Sequence, residues 1–274
     1  MPGRIQIRFV LARNGVMNGE NLVSKVLILN ILLSSFIFSI EHEIVILDDD
    51  ICVGEKNCIE IDIRYPKFDE PEQESLKVIN SFIQNWVSQK PTYWEWEENR
   101  VPEDLFKELR TGFKKYIGDW EGLVLGWQIF RNVKITYLND VLISLSLENN
   151  IYTGGAHGLW SWHFVILSLE TGLPLSTKDL LKENAMEKFT EFGEAVFRRV
   201  KDIDQKQSLR ELGINFKNDQ FQLNKNLLIK EGGILFYYNP YEIAGYLAGG
   251  TEVFLSKSEI EHLFHPKWKL WLEK

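Results

Sequence analysis

The chain has 274 residues, 45% hydrophobic and 26% charged, which excludes a disordered tail, a collagen and a multi-span membrane protein. Lys and Arg total 31 against 39 Asp and Glu, a net charge of −8. That balance disfavours general nucleic-acid binding, which needs clustered Lys and Arg to displace counterions from phosphates, and suits a neutral or basic partner. The length suits one large domain or two smaller ones. Nine Trp within a 13% aromatic content supply both a core and a surface able to stack on sugars or proteins.

Val26 to Ile40 reads VLILNILLSSFIFSI, preceded by Lys25 and, further upstream, by Arg4, Arg8 and Arg13. A short apolar run behind a basic flank is the form of a secretory signal peptide, with Ser39 as a small residue before a cleavage point. The run is short for a membrane span, which needs about 20 residues. An uncleaved N-terminal anchor and a buried first helix or strand are the other readings. Met17 is an alternative start, from which the segment has ordinary signal-peptide proportions. Residues 1–40 are therefore set aside from the fold as a signal peptide or anchor, and no membrane span is expected beyond them.

The two cysteines are Cys52 and Cys58, in CVGEKNC. Five intervening residues with Gly54 can form a turn that brings the thiols together, and an exported chain meets a compartment that permits a disulfide. Two unpaired, buried thiols are the alternative. The spacing is too long for a zinc knuckle, and there is no second pair. Ile59, Ile61, Ile63 and Tyr65 alternate with Glu60, Asp62 and Arg64, which predicts a half-buried strand beside a second one at 44–47. Pro71 opens a helix striped by Leu76, Ile79, Ile83 and Trp86, with Phe82 and Val87 beside the stripe. Pro91 ends it. A second helix starts at Pro102, aligns Leu105, Leu109, Phe113 and Tyr116, and closes at Gly118. Strands are expected at 133–137 and 141–147, joined by the turn Leu138-Asn139-Asp140.

A strand from about Trp160 to Leu169 opens the C-terminal half and turns at Glu170-Thr171-Gly172. A helix is expected over 179–203, striped by Met186, Phe189, Val196, Val200 and Ile203. Strands at 227–229 and 234–238 flank the turn Glu231-Gly232-Gly233, and 251–255 is a further strand. Ser256 and Glu259 form a capping box for a last short helix. Hairpins with interspersed helices predict an α+β fold, mostly antiparallel, with helices packed on the sheets and two adjoining subdomains, 41–150 and 151–274.

Signatures of nucleophile elbows, phosphate loops, dinucleotide folds and zinc proteases are absent from the sequence. A Ser-His-Asp triad leaves no local trace and stays open. His262 and His265 lie one helical turn apart, but no metal site is expected, nor any cofactor. Tyr93-Trp94-Glu95-Trp96-Glu97-Glu98 mixes rings and carboxylates as sugar sites do, or forms a solvated acidic loop. Thr153-Gly154-Gly155-Ala156-His157-Gly158 is the most unusual stretch. Its glycines permit positive φ or close backbone approach, so the loop is either an anion-binding nest or a sterically demanding strand connection.

Three segments carry a resemblance. Tyr152-Thr153-Gly154-Gly155-Ala156-His157-Gly158, then Leu169-Glu170-Thr171-Gly172 with Asp179-Leu180-Leu181, then Phe236 through Ala244 (FYYNPYEIA) resemble a bacterial domain of unknown function. That domain ends RsiV-type anti-sigma factors, which sense lysozyme, and accompanies PdaC-type polysaccharide deacetylases. The match runs from Tyr152 to Phe264, and residues 41–150 are similar to its usual companion domain. Gly245 stands where the family more commonly has Pro, which loosens the turn after Ala244. The resemblance implies an exported α+β protein of the cell envelope. It carries over no catalytic residue, because the deacetylases keep their chemistry in a separate domain. Leu47-Asp48-Asp49-Asp50 is only faintly similar to an acidic deacetylase motif, and His262 and His265 lack the spacing that motif requires. The basic stretch before the apolar run is short for a sigma-binding segment.

The expected function is a non-catalytic envelope binding module for a lysozyme-like protein or a peptidoglycan-type glycan. The expected contact residues are Tyr152, Thr153, Gly154, Gly155, His157, Tyr238, Tyr241 and Tyr246. The alternative is a hydrolase acting on envelope polysaccharide.

Overall fold

Two sheets organise the chain. The computed structural model describes residues 6–11, 40–53, 57–69, 73–90, 97–119 and 126–271. Strands β1 (Gln6–Leu11), β2 (His42–Val53), β3 (Asn57–Phe68), β4 (Trp127–Leu138), β5 (Leu142–Tyr152) and β6 (Leu159–Ser168) form a six-stranded sheet in sequence order. Only β3 and β4 run parallel. A parallel neighbour needs a crossover, and helices α1 (Glu74–Val87) and α2 (Pro102–Gly118) supply it. Their stripes do the work the spacing predicts. Leu76, Ile79, Ile83 and Trp86 of α1, with Leu105, Leu109 and Phe113 of α2, are buried in one cluster with Ile59, Ile61, Ile63 and Tyr65 of β3.

Inside this layer Arg131 is 2% exposed. Its Nη1 donates to the Gln89 carbonyl at 2.7 Å and to the Val87 carbonyl, and its Nε donates to Asn149 Oδ1 at 2.9 Å. A cation at the carbonyl end of α1 meets the negative end of the helix dipole and satisfies carbonyls the helix cannot. Cys52 and Cys58 stand directly opposite across the β2–β3 pair and are joined by a disulfide.

The second sheet is β7 (Leu227–Lys230), β8 (Gly233–Tyr238) and β9 (Thr251–Ser256), all antiparallel. It packs with α3 (Thr177–Leu180), α4 (Met186–Val200) and α5 (Lys257–Ile260) around Phe189, Phe197, Phe236, Val253 and Leu255. Glu259 accepts from the Ser256 N–H at 3.3 Å, closing the capping box. The architecture is α+β, with mostly antiparallel sheets in two subdomain-like systems.

Four features differ from the expected pattern. The sheet does not stop near residue 150, because β6 is its last strand. The stretch 179–203 is not one helix. It breaks between α3 and α4, where Leu181 bridges Phe264 and the Lys182 N–H donates to the Leu263 carbonyl at 2.8 Å. Pairing with the C-terminal segment outcompetes continued helix there. The α1 helix starts at Glu74, and Pro71 lies outside the described residues. Finally, the segment set aside as a leader contributes β1 to the sheet edge, with Gln6 opposite Asp48 and Leu11 opposite Glu43. The apolar run before Ile40 lies outside the described residues.

The two units meet at β6. Its outer edge is closed by side-chain amides. Asn226 accepts from the Phe164 N–H at 2.7 Å and donates to the Trp162 and Tyr237 carbonyls at 2.8 and 2.9 Å. Asn239 accepts from the Trp162 N–H at 2.8 Å and donates back to the Trp162 carbonyl at 2.9 Å. These amides replace a strand partner on an edge that would otherwise expose its ladder groups.

Two stability predictions follow from these contacts. Asn226→Ala strands the Phe164 amide and takes one of two side-chain donors from each of the Trp162 and Tyr237 carbonyls, and should lower the urea unfolding free energy by about 2 kcal/mol. Reduction of Cys52–Cys58, or the double serine variant, should cost about 2 kcal/mol on the chain-entropy estimate for so short a loop. Equal denaturation midpoints with and without reductant would refute the second.

Candidate binding surface

The glycine-rich loop joins β5 to β6. Gly154 and Gly155 sit at φ +95° and +98°, which L-residues rarely adopt. A Cβ on Gly154 would also stand 2.8 Å from the Tyr116 hydroxyl, so a larger residue there would in addition displace that ring. The Tyr152 hydroxyl donates to the Gly155 carbonyl at 3.0 Å and braces the loop. His157 is exposed, and its Nδ1 lies 2.9 Å from the Gly158 carbonyl. A carbonyl only accepts, so Nδ1 carries the proton in this contact.

The loop after β8 comes to meet it. Asn239 is held on Trp162, and its own N–H donates to Glu242 Oε2 at 2.8 Å. Glu242 Oε1 in turn accepts from Asn224 at 2.8 Å. This turn presents Tyr241 and Tyr246 beside the glycine-rich loop. The His157 and Tyr246 rings stack with centroids 4.3 Å apart and planes 14° from parallel. Tyr241 follows at 5.4 Å from Tyr246. Tyr241 is 58% exposed and holds φ +70°, a costly conformation for an aromatic residue of the kind concentrated at functional surfaces. Leu247 stands fully exposed beside Tyr246.

The structure thus brings His157, Tyr241 and Tyr246 together from segments more than 80 residues apart in sequence. Tyr152, Thr153 and Gly154, in the same loop as His157, are half-buried and Gly155 is exposed. Tyr238 does not join this surface. It is 1% exposed, packs among Phe197, Phe216 and Phe221, and donates from its hydroxyl to the Gln222 carbonyl at 2.6 Å. Burial pushes its hydroxyl pKa up. Alternation along β8 turns it into the core while its neighbours lead out to the loop. Sequence reasoning missed Asn224, Asn226 and Asn239, which aim the loops. Their only trace is a cluster of Asn flanking strands and the Asn239-Pro240 turn.

The sheet face turned away from α1 and α2 holds an open groove of about 780 Å³ lined by Asp48, Asp50, Glu60, Asp62, Phe130 and Asn150, among others. Asp48 stands opposite Asp62 and Asp50 opposite Glu60. Arg64 binds both oxygens of Asp62 at 2.8 Å, and Gln128 donates to Glu60 at 3.0 Å. Trp160, 54% exposed, lies on the same face opposite Asn150 of β5.

A hydrolase would need an activated nucleophile. Ser161 Oγ lies 3.1 Å from His163 Nε2 and accepts from Asn149 Nδ2 at 3.0 Å. Asn149 accepts from Arg131 in turn. Burial first, and the Arg131 charge second, push the His163 pKa down to about 4. A general base must become imidazolium, and this site opposes that. Ser161 is itself buried. The chain of contacts reads as a structural relay. Of the acidic-aromatic segment 93–98, residues 93–96 lie outside the described residues. Glu97 is committed to Lys90 and Arg100, whose hydrogen bonds lower its pKa. His265 caps a short turn by accepting from the Lys267 N–H at 3.1 Å. Among the described residues no three His, Cys, Asp or Glu are grouped to hold a metal, and no helix is long and apolar enough to cross a membrane.

Comparison with known proteins places these surfaces in context. Residues 178–258 match the family model described as a protein of unknown function, DUF3298, and residues 52–160 match the model described as deacetylase PdaC. A crystal structure of a DUF3298 family member from Bacteroides fragilis is similar, with 18% identity and a TM-score of 0.64, over 86% of this chain and 98% of that one. A DUF3298 family protein from Pseudomonas aeruginosa PAO1 is 19% identical, with a TM-score of 0.58, over 83% of this chain and 95% of that one. No curated protein matches.

The His163 shift predicts a pH dependence. The folded pKa of about 4 lies below the unfolded value near 6.5, so the unfolded chain binds the extra proton between them. The contribution is full above about pH 6.5 and is lost as pH falls towards 4, by up to about 3 kcal/mol. His163→Gln should flatten this part of the stability profile relative to the parent chain. Parallel profiles for the two proteins would refute the assignment.

Proposed function

We propose that this member of the DUF3298 domain family, with its PdaC-type N-terminal unit, is an exported, non-catalytic binding module of the cell envelope. Its partner on this reading is a lysozyme-like protein or a peptidoglycan-type glycan. The observation that supports it is the exposed row of His157, Tyr246 and Tyr241, built by two loops and buttressed by half-buried amide contacts. Exposed rings on a rigid base bury large area at small entropic cost, and such anchors dominate binding energy. A chain of charge −8 also attracts basic proteins and raises their association rate at low salt.

The apolar segment behind basic residues supports export, and a disulfide suits an oxidising compartment. The competing reading, a hydrolase acting on envelope polysaccharide, would draw on the carboxylates of the open groove. Two of them are engaged by Arg64 and Gln128, and the Ser161–His163 pair is electrostatically unsuited to the task.

Calorimetry against lysozyme and against soluble peptidoglycan fragments, at two salt concentrations, tests the proposal. Tyr241→Ala and Tyr246→Ala should each weaken binding roughly ten-fold, in the range of an aromatic anchor, and His157→Ala should weaken it less. Thermal melting should be nearly unchanged, since all three side chains stand outside the two cores. Absence of heat with both ligands would eliminate both partners. Release of reducing sugar or acetate would move the assignment to a hydrolase.

A further inference from the structure

The outer edge of β2 has the properties of a strand acceptor. Cys52 and Cys58 stand opposite with Cα atoms 4.1 Å apart, the spacing of a non-hydrogen-bonded antiparallel pair. The β2–β3 register is unbroken along the whole of β2. Strict alternation therefore makes Ile44, Ile46, Asp48 and Asp50 non-bonded towards β3 as well. Their N–H and C=O groups point away from β3, to the edge of the sheet.

In the structure β1 takes up this edge, antiparallel and over six residue pairs. Its register is informative. Ile7 and Phe9 stand opposite Leu47 and Val45, which are buried in the core. Gln6, Arg8 and Val10, at the intervening positions, stand opposite Asp48, Ile46 and Ile44. Asp48 in turn opposes Asp62 on the acidic open face. The edge accordingly selects a strand with apolar residues at alternate positions and with polar or basic ones between them towards its Asp48 end.

β1 precedes the apolar run and β2 follows it. Export on that run, the reading proposed above on which this inference rests, removes β1 or leaves it across the membrane. We infer that the β2 edge of the exported protein is then a docking site for an extended segment of a partner protein, added as a strand, with apolar residues at alternate positions and a basic residue near Asp48. Backbone hydrogen bonds supply affinity in such an addition, and alternate side chains supply selectivity. A second copy of the chain is disfavoured, because it would set two strands carrying Asp48, Asp49 and Asp50 side by side.

The test uses the full chain with Arg8→Pro and Val10→Pro. By the same alternation these residues direct their amides at β2, and proline removes them. The probe is a labelled synthetic peptide of residues 4–13. The double variant should bind the peptide, the parent chain at least ten-fold more weakly, and binding should weaken with salt. Replacing Arg4 and Arg8 of the peptide by Glu should cost at least ten-fold. Amide hydrogen exchange at Ile44, Ile46 and Asp48 should accelerate at least ten-fold in the variant and slow again with peptide, while β8 and β9 amides stay unchanged as a folding control. Arg8→Glu in the chain keeps every backbone donor and should show the same ordering with a smaller effect, should the prolines prevent folding. No binding to the opened variants, or equal binding by parent and variant, would overturn the inference. Dimerisation of the variant without peptide, read by sedimentation, would overturn the choice of partner. Cell fractionation reports on export separately: an intact N-terminus in a cytosolic fraction, with positive peptide binding, would refute export and leave the acceptor edge standing.

Discussion

The outer edge of β6 is closed by the side-chain amides of Asn226 and Asn239, and the rest of the binding surface depends on that closure. Each amide both donates and accepts, so each can stand in for a strand's peptide group. The three-stranded sheet is thereby tied to the six-stranded one in a fixed register. Further ties run through the β4–β5 hairpin. Ser144 accepts from the Ile229 N–H at 2.9 Å, Asn139 donates to the Trp268 carbonyl at 2.8 Å, and the Tyr137 hydroxyl accepts from the Trp271 N–H at 2.9 Å. The loop after β8 starts at Asn239 itself. The position of Tyr241 and Tyr246 beside the glycine-rich loop therefore rests on these polar contacts as well as on the stacked rings.

The two faces of the large sheet divide the work. One is covered by α1 and α2 and holds the core together with the Arg131 relay. There a buried cation is surrounded by carbonyls and an amide, and the same charge helps keep His163 neutral. The other face is covered at one end by the C-terminal unit, where Leu142 and Ile166 join its core. Its other end is open and acidic. Opposed carboxylates on neighbouring strands repel, and the contacts of Arg64 and Gln128 relieve only part of that. A cationic partner would relieve more, which links the charge of this face to the kind of strand the neighbouring edge selects.

Much of the secondary structure was legible from local pattern. Alternation at Ile59–Tyr65, the stripes of α1 and α2, the turn at Asn139-Asp140, the Ser256–Glu259 box and the Gly154-Gly155 loop all correspond to observed elements. Part of the candidate surface was legible too, because glycine and aromatic residues in a loop carry a local signal. Tyr238 was not, since a tyrosine at a strand end reads alike whether it points inward or outward. The break between α3 and α4 was hidden for a related reason. The helical stripe of 186–200 continues back through Leu181, and only the bridge to Phe264 removes that residue from the helix.

By itself, then, the sequence determined what depends on residues within a turn or two of one another: element type, caps, the hairpin turns and the α+β class. Periodicity and backbone sterics act at that range. Tertiary structure alone decided which sheet β6 joins, that Tyr238 is core, that Asn226 and Asn239 replace a strand partner, and that His157 meets Tyr246. The last two outcomes rest on contacts between residues 62 to 89 positions apart, and the energies of all four come from burial and hydrogen-bond satisfaction, which no local pattern encodes.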